Sequence, residues 1–270
     1  MAYDDFHALR VTVEDGVARL TLDHPPVNLL DLELIIELDV AGRALEADDE
    51  VRVVVLDSAD PEFFSAHADV TMIQSIPTDD TARREVPNGF QAMADRFRTM
   101  PKATIALVEG IARGGGSELA LACDMRFASL ERTVLAQPEV SLAIIPGGGG
   151  TQRLPGLVGR GRALEVVLGC GDLDGATAER WGYVNRALPD AGLRPFVDAL
   201  ARRIASFPPE AVARAKGAVD AALSDPVGGL LVEDQEFRSS LSDPQTADRM
   251  ATALALGIQT REVERGPLPL

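Results

Sequence analysis

The stretch that most limits what this chain can become is Gly114-Gly115-Gly116-Ser117-Glu118. It follows an apolar run, Thr104 to Val108, and opens a helix-compatible segment from Leu119 to Cys123. Three consecutive glycines remove the side chains that would hold a ligand off the backbone. The start of a helix leaves N–H groups unpaired and carries partial positive charge, so the spot stabilises an anion. Glu118 would repel a bound anion but is well placed to move protons beside one, which points to chemistry on a carbonyl. Taken alone, the run reads equally as a tight turn or a close packing contact. No Lys-Ser or Lys-Thr follows it, and the G-x-G-x-x-G spacing is not met, so nucleotide cradling is not expected.

With 270 residues the chain can bury a full core, as one large domain or as a domain with a smaller appendage. A net charge of −16 argues against a nucleic-acid partner, which would need a basic surface. A few local basic residues could still hold a phosphorylated small ligand. Cys123 and Cys170 give neither a disulfide framework nor a metal spacing, and His7, His24 and His67 are too scattered for a zinc motif. No metal is expected, and the compartment reads as reducing. No apolar run approaches the ~18 residues of a membrane span, and the start Met1-Ala2-Tyr3-Asp4-Asp5 lacks the basic flank of a signal peptide. The expected location is cytoplasmic, with no membrane partner.

Along the chain, Leu9 to Val13 and Val17 to Asp23 flank Asp15-Gly16, a hairpin signal. Leu32, Ile35, Ile36 and Leu45 set a helical period over residues 31–47, and Val51 to Leu56 reads as a buried strand. After a loop at Pro61 comes a polar helical region whose Phe90, Met93, Phe97 and Met100 are expected in the core. Strands follow at 103–108 and near Met125 to Ala128. Strands separated by helices favour right-handed crossovers and hence a largely parallel α/β core. After about residue 195 the strand signal stops; Pro208-Pro209 opens a helix expected to reach Leu223, and more helix follows before Gly266-Pro267. That final part is too thin to hold its own core, which suggests a packing or oligomerisation element.

Three further segments join the triple glycine: Phe63-Phe64-Ser65-Ala66-His67-Ala68-Asp69, Gln137-Pro138-Glu139, and Ile145-Pro146-Gly147-Gly148-Gly149-Gly150-Thr151-Gln152-Arg153-Leu154. In this order and spacing they resemble the crotonase superfamily, specifically enoyl-CoA hydratases. The resemblance covers about residues 10 to 190 and takes in Asp23-His24-Pro25-Pro26-Val27-Asn28 and Glu179-Arg180-Trp181-Gly182-Tyr183-Val184-Asn185. It implies an α/β crotonase-like spiral of ββα units over residues 1–195, carrying an acyl-CoA site. Residues 196–270 would form a C-terminal helical oligomerisation region of a homotrimer or homohexamer.

The resemblance further implies an acyl-CoA thioester substrate from fatty acid metabolism, with coenzyme A part of the substrate and no separate cofactor. Its carbonyl oxygen would lie between the backbone N–H groups of Ala66 and Gly115, an oxyanion hole for the enolate. Val27, Ala66, His67, Ala68, Asp69 and Gly115 would bind substrate. Glu118 would orient and deprotonate the attacking water, and Glu139 would supply the proton to the α-carbon. Two carboxylates around one small site cannot both stay comfortably ionised, so one is expected to hold a proton. The same residues also read more plainly, with Glu118 placed for the helix dipole, Glu139 solvated and Asp69 capping the next helix. The same pocket could instead serve enoyl-CoA isomerisation, C–C or thioester hydrolysis, or non-catalytic acyl-CoA binding.

Several positions depart from the family pattern. His67 stands where glycine is usual, and a steric or binding effect is expected there. The 21-residue interval between Glu118 and Glu139 is one longer than usual, with the extra residue expected in Ser129-Leu130-Glu131-Arg132-Thr133. The end, Arg261-Glu262-Val263-Glu264-Arg265, is not a basic stretch that would meet the CoA phosphates. Arg153 reads as a surface residue or a salt-bridge partner, and Trp181 and Tyr183 as packing residues.

Overall fold

A computed structural model describes residue 3 and residues 5–78, 84–221 and 226–266. It opens on the expected hairpin, β1 (Leu9–Glu14) and β2 (Val17–Leu22), whose turn residues Asp15 and Gly16 both take positive φ, 51° and 77°. Two such residues in succession match the right-handed twist of the flanking strands. Helix α1 (Leu32–Ala47) begins where the Asp31 carboxylate accepts the Leu34 amide at 2.9 Å, and β3 (Val53–Ser58) follows as a fully buried strand.

A repeating unit then builds the site. After β3 come a short strand, β4 (Phe63–Ser65), and the helix α2 (Val70–Gln74). Helix α3 (Gly89–Thr99) leads into β5 (Ala103–Val108), which is followed by a short β6 (Ile111–Arg113) and α4 (Gly115–Ala122). The third turn is β7 (Met125–Ser129), β8 (Val134–Ala136) and a single 3-10 turn at Glu139–Leu142. Helices α5 (Gly150–Val158) and α6 (Arg160–Gly169) come next, then β9 (Leu173–Asp174), α7 (Gly175–Trp181) and β10 (Arg186–Leu188). Five helices complete the described chain: α8 (Asp190–Ala205), α9 (Pro209–Asp220), α10 (Pro226–Leu241), α11 (Pro244–Ala255) and α12 (Arg261–Glu264). The expected end of α9 at Leu223, and Pro267, lie outside the described residues.

The long strands form a six-stranded sheet in the order β1-β2-β3-β5-β7-β10, parallel except for the hairpin. The short ones form a second sheet, β4-β6-β8-β9, parallel through its first three strands. Alternation along the buried strands sends Val54 and Leu56 into the cluster shared with Leu34, Leu38, Met93 and Phe97. It sends Val53, Val55, Ile105 and Leu107 into the cluster with Leu193, Val197 and Ala201 of α8. Helix α8 therefore covers one face of the large sheet, and the expected boundary at residue 195 falls inside it.

Three strands of the small sheet were not anticipated, because three-residue strands carry no periodicity to read. They explain why motifs some 45 and 20 residues apart in sequence meet: each follows the same strand of a successive repeat.

Candidate active site

The three parallel short strands stop side by side and release their chains toward one cavity. Past β4 lies Ala68, past β6 lie Gly115 and Glu118, and past β8 lies Glu139. All four line a cavity of about 500 Å³ whose walls are otherwise mostly apolar, including Leu32, Ile35, Met72, Ile73, Phe90 and Phe237. Phe90 is thus a half-buried wall residue, whereas Met93, Phe97 and Met100 are in the core as expected.

The backbone pairing corrects the expected donor pair, because the Ala66 amide is already used. The Ala66 amide donates to Val27 O at 3.0 Å, continuing the chain pairing at the end of β4, and is committed to the fold. Leu30 pairs in parallel with Ala68, using the amide of Asp69 and the carbonyl of His67 and leaving the Ala68 amide turned the other way. Among the described residues neither the Ala68 nor the Gly115 amide has a protein acceptor. The Ala68 nitrogen lies 3.2 Å from where a Cβ on Gly115 would stand, so these two amides are neighbours. Gly114, with φ 46°, makes the bend that points the start of α4 here, and Gly116 lets the helix close on β4: a Cβ there would lie 2.2 Å from Ser65 O.

Glu118 stands in the first turns of a wholly buried helix, anchored by a 2.6 Å hydrogen bond between Ser117 Oγ and Tyr183 Oη. Its Oε1 accepts the amides of Gly148 and Gly150, each at 2.8 Å. Burial lifts its carboxyl above the ordinary carboxylate range, against the pull of those two amides. Glu139 opens the 3-10 turn beside Gly114, where an added Cβ would come within 2.8 Å of its Oε1. Burial lifts it well above the ordinary range, and the negative charge of Glu118 adds to the lift. With 21 residues between them in sequence, both glutamates line the same cavity.

The remaining expected residues sit otherwise. Val27 is fully buried with Phe63 and Ile111 and does not line the cavity. His67 is buried and does not line this cavity, but borders a smaller void beside Gly115 and Glu139. Nδ1 lies 2.8 Å from Ala68 O and Nε2 2.9 Å from Glu264 Oε1 of α12, so it props the donor loop from behind. Asp69 caps α2 by accepting the Thr71 amide at 2.8 Å and also holds Gln259 Nε2 at 2.6 Å. Behind them Arg113 pairs both its Nε and Nη2 with Asp172 at 2.7 Å and donates to Glu264 O. Arg153 is a buried partner of Asp95 at 3.6 Å rather than a surface residue. Arg261 and Arg265 pair with Asp60 and Glu62.

Sequence reasoning missed the contribution of α10. Asp234, Phe237 and Arg238 line the cavity from the C-terminal helices, with Asn88 Nδ2 donating to Asp234 at 2.8 Å and Arg238 pairing with Asp234 at 2.9 Å, while Glu233 beside them holds the amides of Gly149 and Thr151. A buried acidic pair on a helix otherwise rich in apolar residues was the available signal. Among the described residues, His7 with Glu33 and Glu37, and His24 with Asp31 and Glu33, are the groupings with metal-ligand spacing, and neither includes a residue lining the cavity. No helix among the described residues is long and apolar enough to cross a membrane.

With this geometry in place, residues 12–250 match the family described as enoyl-CoA hydratase/isomerase. The chain belongs to the enoyl-CoA hydratase/isomerase family. It is 32% identical over 253 residues to a short-chain-enoyl-CoA hydratase of Clostridium acetobutylicum, covering 93% of this chain and 94% of that one. It is 35% identical over 234 residues to the mitochondrial methylglutaconyl-CoA hydratase of Rattus norvegicus, covering 84% and 72%. A solved structure from Streptomyces avermitilis, described as a candidate enoyl-CoA hydratase, superposes with a TM-score of 0.88 at 42% identity, over 96% of this chain and 95% of that one. The two sheets and flanking helices are the fold of this enoyl-CoA hydratase/isomerase family, and the strand-strand-helix repeat is its spiral.

Proposed function

We propose that this family member adds water across the double bond of a trans-2-enoyl-CoA. The observation that carries the reading is the convergence of two buried carboxyls raised above the ordinary range, Glu118 and Glu139, and two unpartnered amides, Ala68 and Gly115, on one largely apolar cavity. The thioester oxygen accepts from both amides, which stabilise the enolate; each such donor is typically worth ~2.7–4 kcal/mol of barrier. Glu118, held through Oε1, keeps Oε2 for the water and takes its proton as the oxygen bonds to the β-carbon. The enolate then takes a proton from Glu139 at the α-carbon. One carboxyl must be ionised and the other protonated, the state that burial and mutual repulsion favour.

Coenzyme A enters as part of the substrate, and no other cofactor is assigned. The functional form is a homotrimer or homohexamer in this reading, motivated by the exposed apolar side chains Leu164 and Leu168 on α6; a stable, active monomer by light scattering would contradict it. The test of the activity is a product analysis with trans-2-enoyl-CoA and 3-enoyl-CoA thioesters of short and medium acyl length. Formation of 3-hydroxyacyl-CoA supports hydration. Conversion of the 3-enoyl ester alone would make the enzyme an isomerase, and tight binding without turnover would make it an acyl-CoA binder.

A further inference from the structure

A third carboxyl stands beside the two that carry the proposed chemistry. Glu233, on α10, is 1% exposed. Its Oε1 accepts the Gly149 amide at 2.5 Å and Gln91 Nε2 at 3.3 Å; its Oε2 accepts the Thr151 amide at 2.9 Å and contacts the Thr151 hydroxyl. The amides of Gly148 and Gly150 go to Glu118. Four consecutive residues of one loop therefore offer their amides alternately, the first and third to Glu118 and the second and fourth to Glu233.

Alternation has a physical consequence. Amides of successive residues can diverge to two acceptors only if the backbone between them is fixed, and glycine at 147 to 150 supplies no side chain to fix it. A Cβ on Gly148 would meet Phe90 at 2.1 Å and Glu118 Oε2 at 2.6 Å, and one on Gly150 would meet Glu118 Oε1 at 2.9 Å, so the loop lies hard against the carboxylate. What holds it from the far side is the Glu233 carboxyl, itself held by Gln91, whose own position is locked by the Asn88 capping box of α3.

We propose that Glu233 is a positioning residue for Glu118: it clamps the glycine loop that aims the catalytic carboxylate and sets how much negative charge stands beside it. The inference rests on the hydratase reading for its kinetic arm. The charged groups acting on Glu233 are Glu118 on α4, Glu139 on the 3-10 turn and Arg153 on α5, with Asp95 of α3 behind Arg153. Burial, then the charge of Glu118, push the Glu233 carboxyl up to about 8 against the donors that favour its ionised form. Below that pH it is neutral; above it a second anion forms next to Glu118 and opposes the build-up of charge on the substrate.

The test combines pH profiles of hydration with a substrate-free titration. In wild type the alkaline fall in kcat combines ionisation of Glu233 near 8 with loss of the Glu139 proton; in E233Q, whose amide stays neutral, the Glu233 part is absent and the limb shifts to where Glu139 alone loses its proton. E233A, which removes the clamp, loses kcat by roughly tenfold or more while KM changes less, as for a misaimed catalytic group. Infrared difference spectra without substrate show a carboxyl titrating near 8 in wild type and not in E233Q, which holds whether or not the protein is a hydratase. An E233Q profile superimposable on wild type, or the same infrared titration in both proteins, would overturn the proposal. So would a uniform drop in kcat with the alkaline limb at its wild-type position. Wild type without hydratase activity but with the expected infrared difference would sink the activity and keep the clamp.

Discussion

The floor of the site and its wall are built in different ways. The floor, where Ala68, Gly115, Glu118 and Glu139 emerge, is set by backbone: three parallel short strands end together, and the main chain itself supplies the donors. The wall of α10 is set by side chains reaching from residues 233–238 to a loop more than eighty positions earlier. A floor made by ladder pairing is rigid and tolerates little change in backbone approach. A wall held by a few carboxylate hydrogen bonds can be retuned one residue at a time, and in the proposed reading that is where the charge around Glu118 and Glu139 is adjusted.

Substitutions at glycines on the two sides break the comparison most sharply. Gly116→Ala forces a Cβ to 2.2 Å from the Ser65 carbonyl, a backbone neighbour that cannot step aside. It is expected to cost about 1–3 kcal/mol or more, read as a lower thermal midpoint or loss of soluble protein. Gly148→Ala meets the Phe90 ring and Glu118 Oε2 instead, and a ring can turn. That variant is expected to fold with a smaller loss of midpoint and to lose roughly 10²-fold in kcat through a displaced Glu118. Equal stability losses in the two would remove the distinction between floor and wall.

A smaller effect follows from the buried carboxyl of the wall. Glu233 is raised from an ordinary 4.5 to about 8 by burial and by Glu118, so the folded state binds the extra proton. Its contribution to stability is complete below about 4.5 and is lost as pH rises through 8. Thermal midpoints are expected to fall over that window in wild type and to fall less in E233Q. Identical slopes would show that the carboxyl is not titrating there. Smallest of all, Tyr183→Phe removes the hydrogen bond to Ser117 beneath α4 and is expected to cost about 1 kcal/mol, with kcat within a few-fold of wild type. A large kcat loss would mean that the helix is aimed by that bond rather than by its glycine contact with β4.

The same division governs what could be read from the chain. Long elements were legible because burial prints a period on them: the hairpin at Asp15-Gly16, the helix over residues 31–47, and the strands at β3, β5 and β7. The motifs at 63–69, 114–118 and 137–139 were legible too, because each is compact in sequence. The three-residue strands that align those motifs were not, since they are shorter than any period. The motif alone therefore points to Ala66 rather than Ala68: which amide is free depends on where β4 stops pairing. Glu233 is harder to read for another reason: the acidic pair on an apolar-rich helix hints at burial, but its partners, Gln91 and residues 149–151, are distant in sequence and nothing local marks what the acid holds.

The central claim is that Glu118 and Glu139 act together on one enoyl thioester. Its most direct test is the steady-state hydration rate of a short trans-2-enoyl-CoA by wild type, E118Q and E139Q, each shown to be folded. Joint action of the two carboxyls requires kcat to fall about a hundredfold or more in both variants. Either folded variant hydrating at the wild-type rate would contradict it.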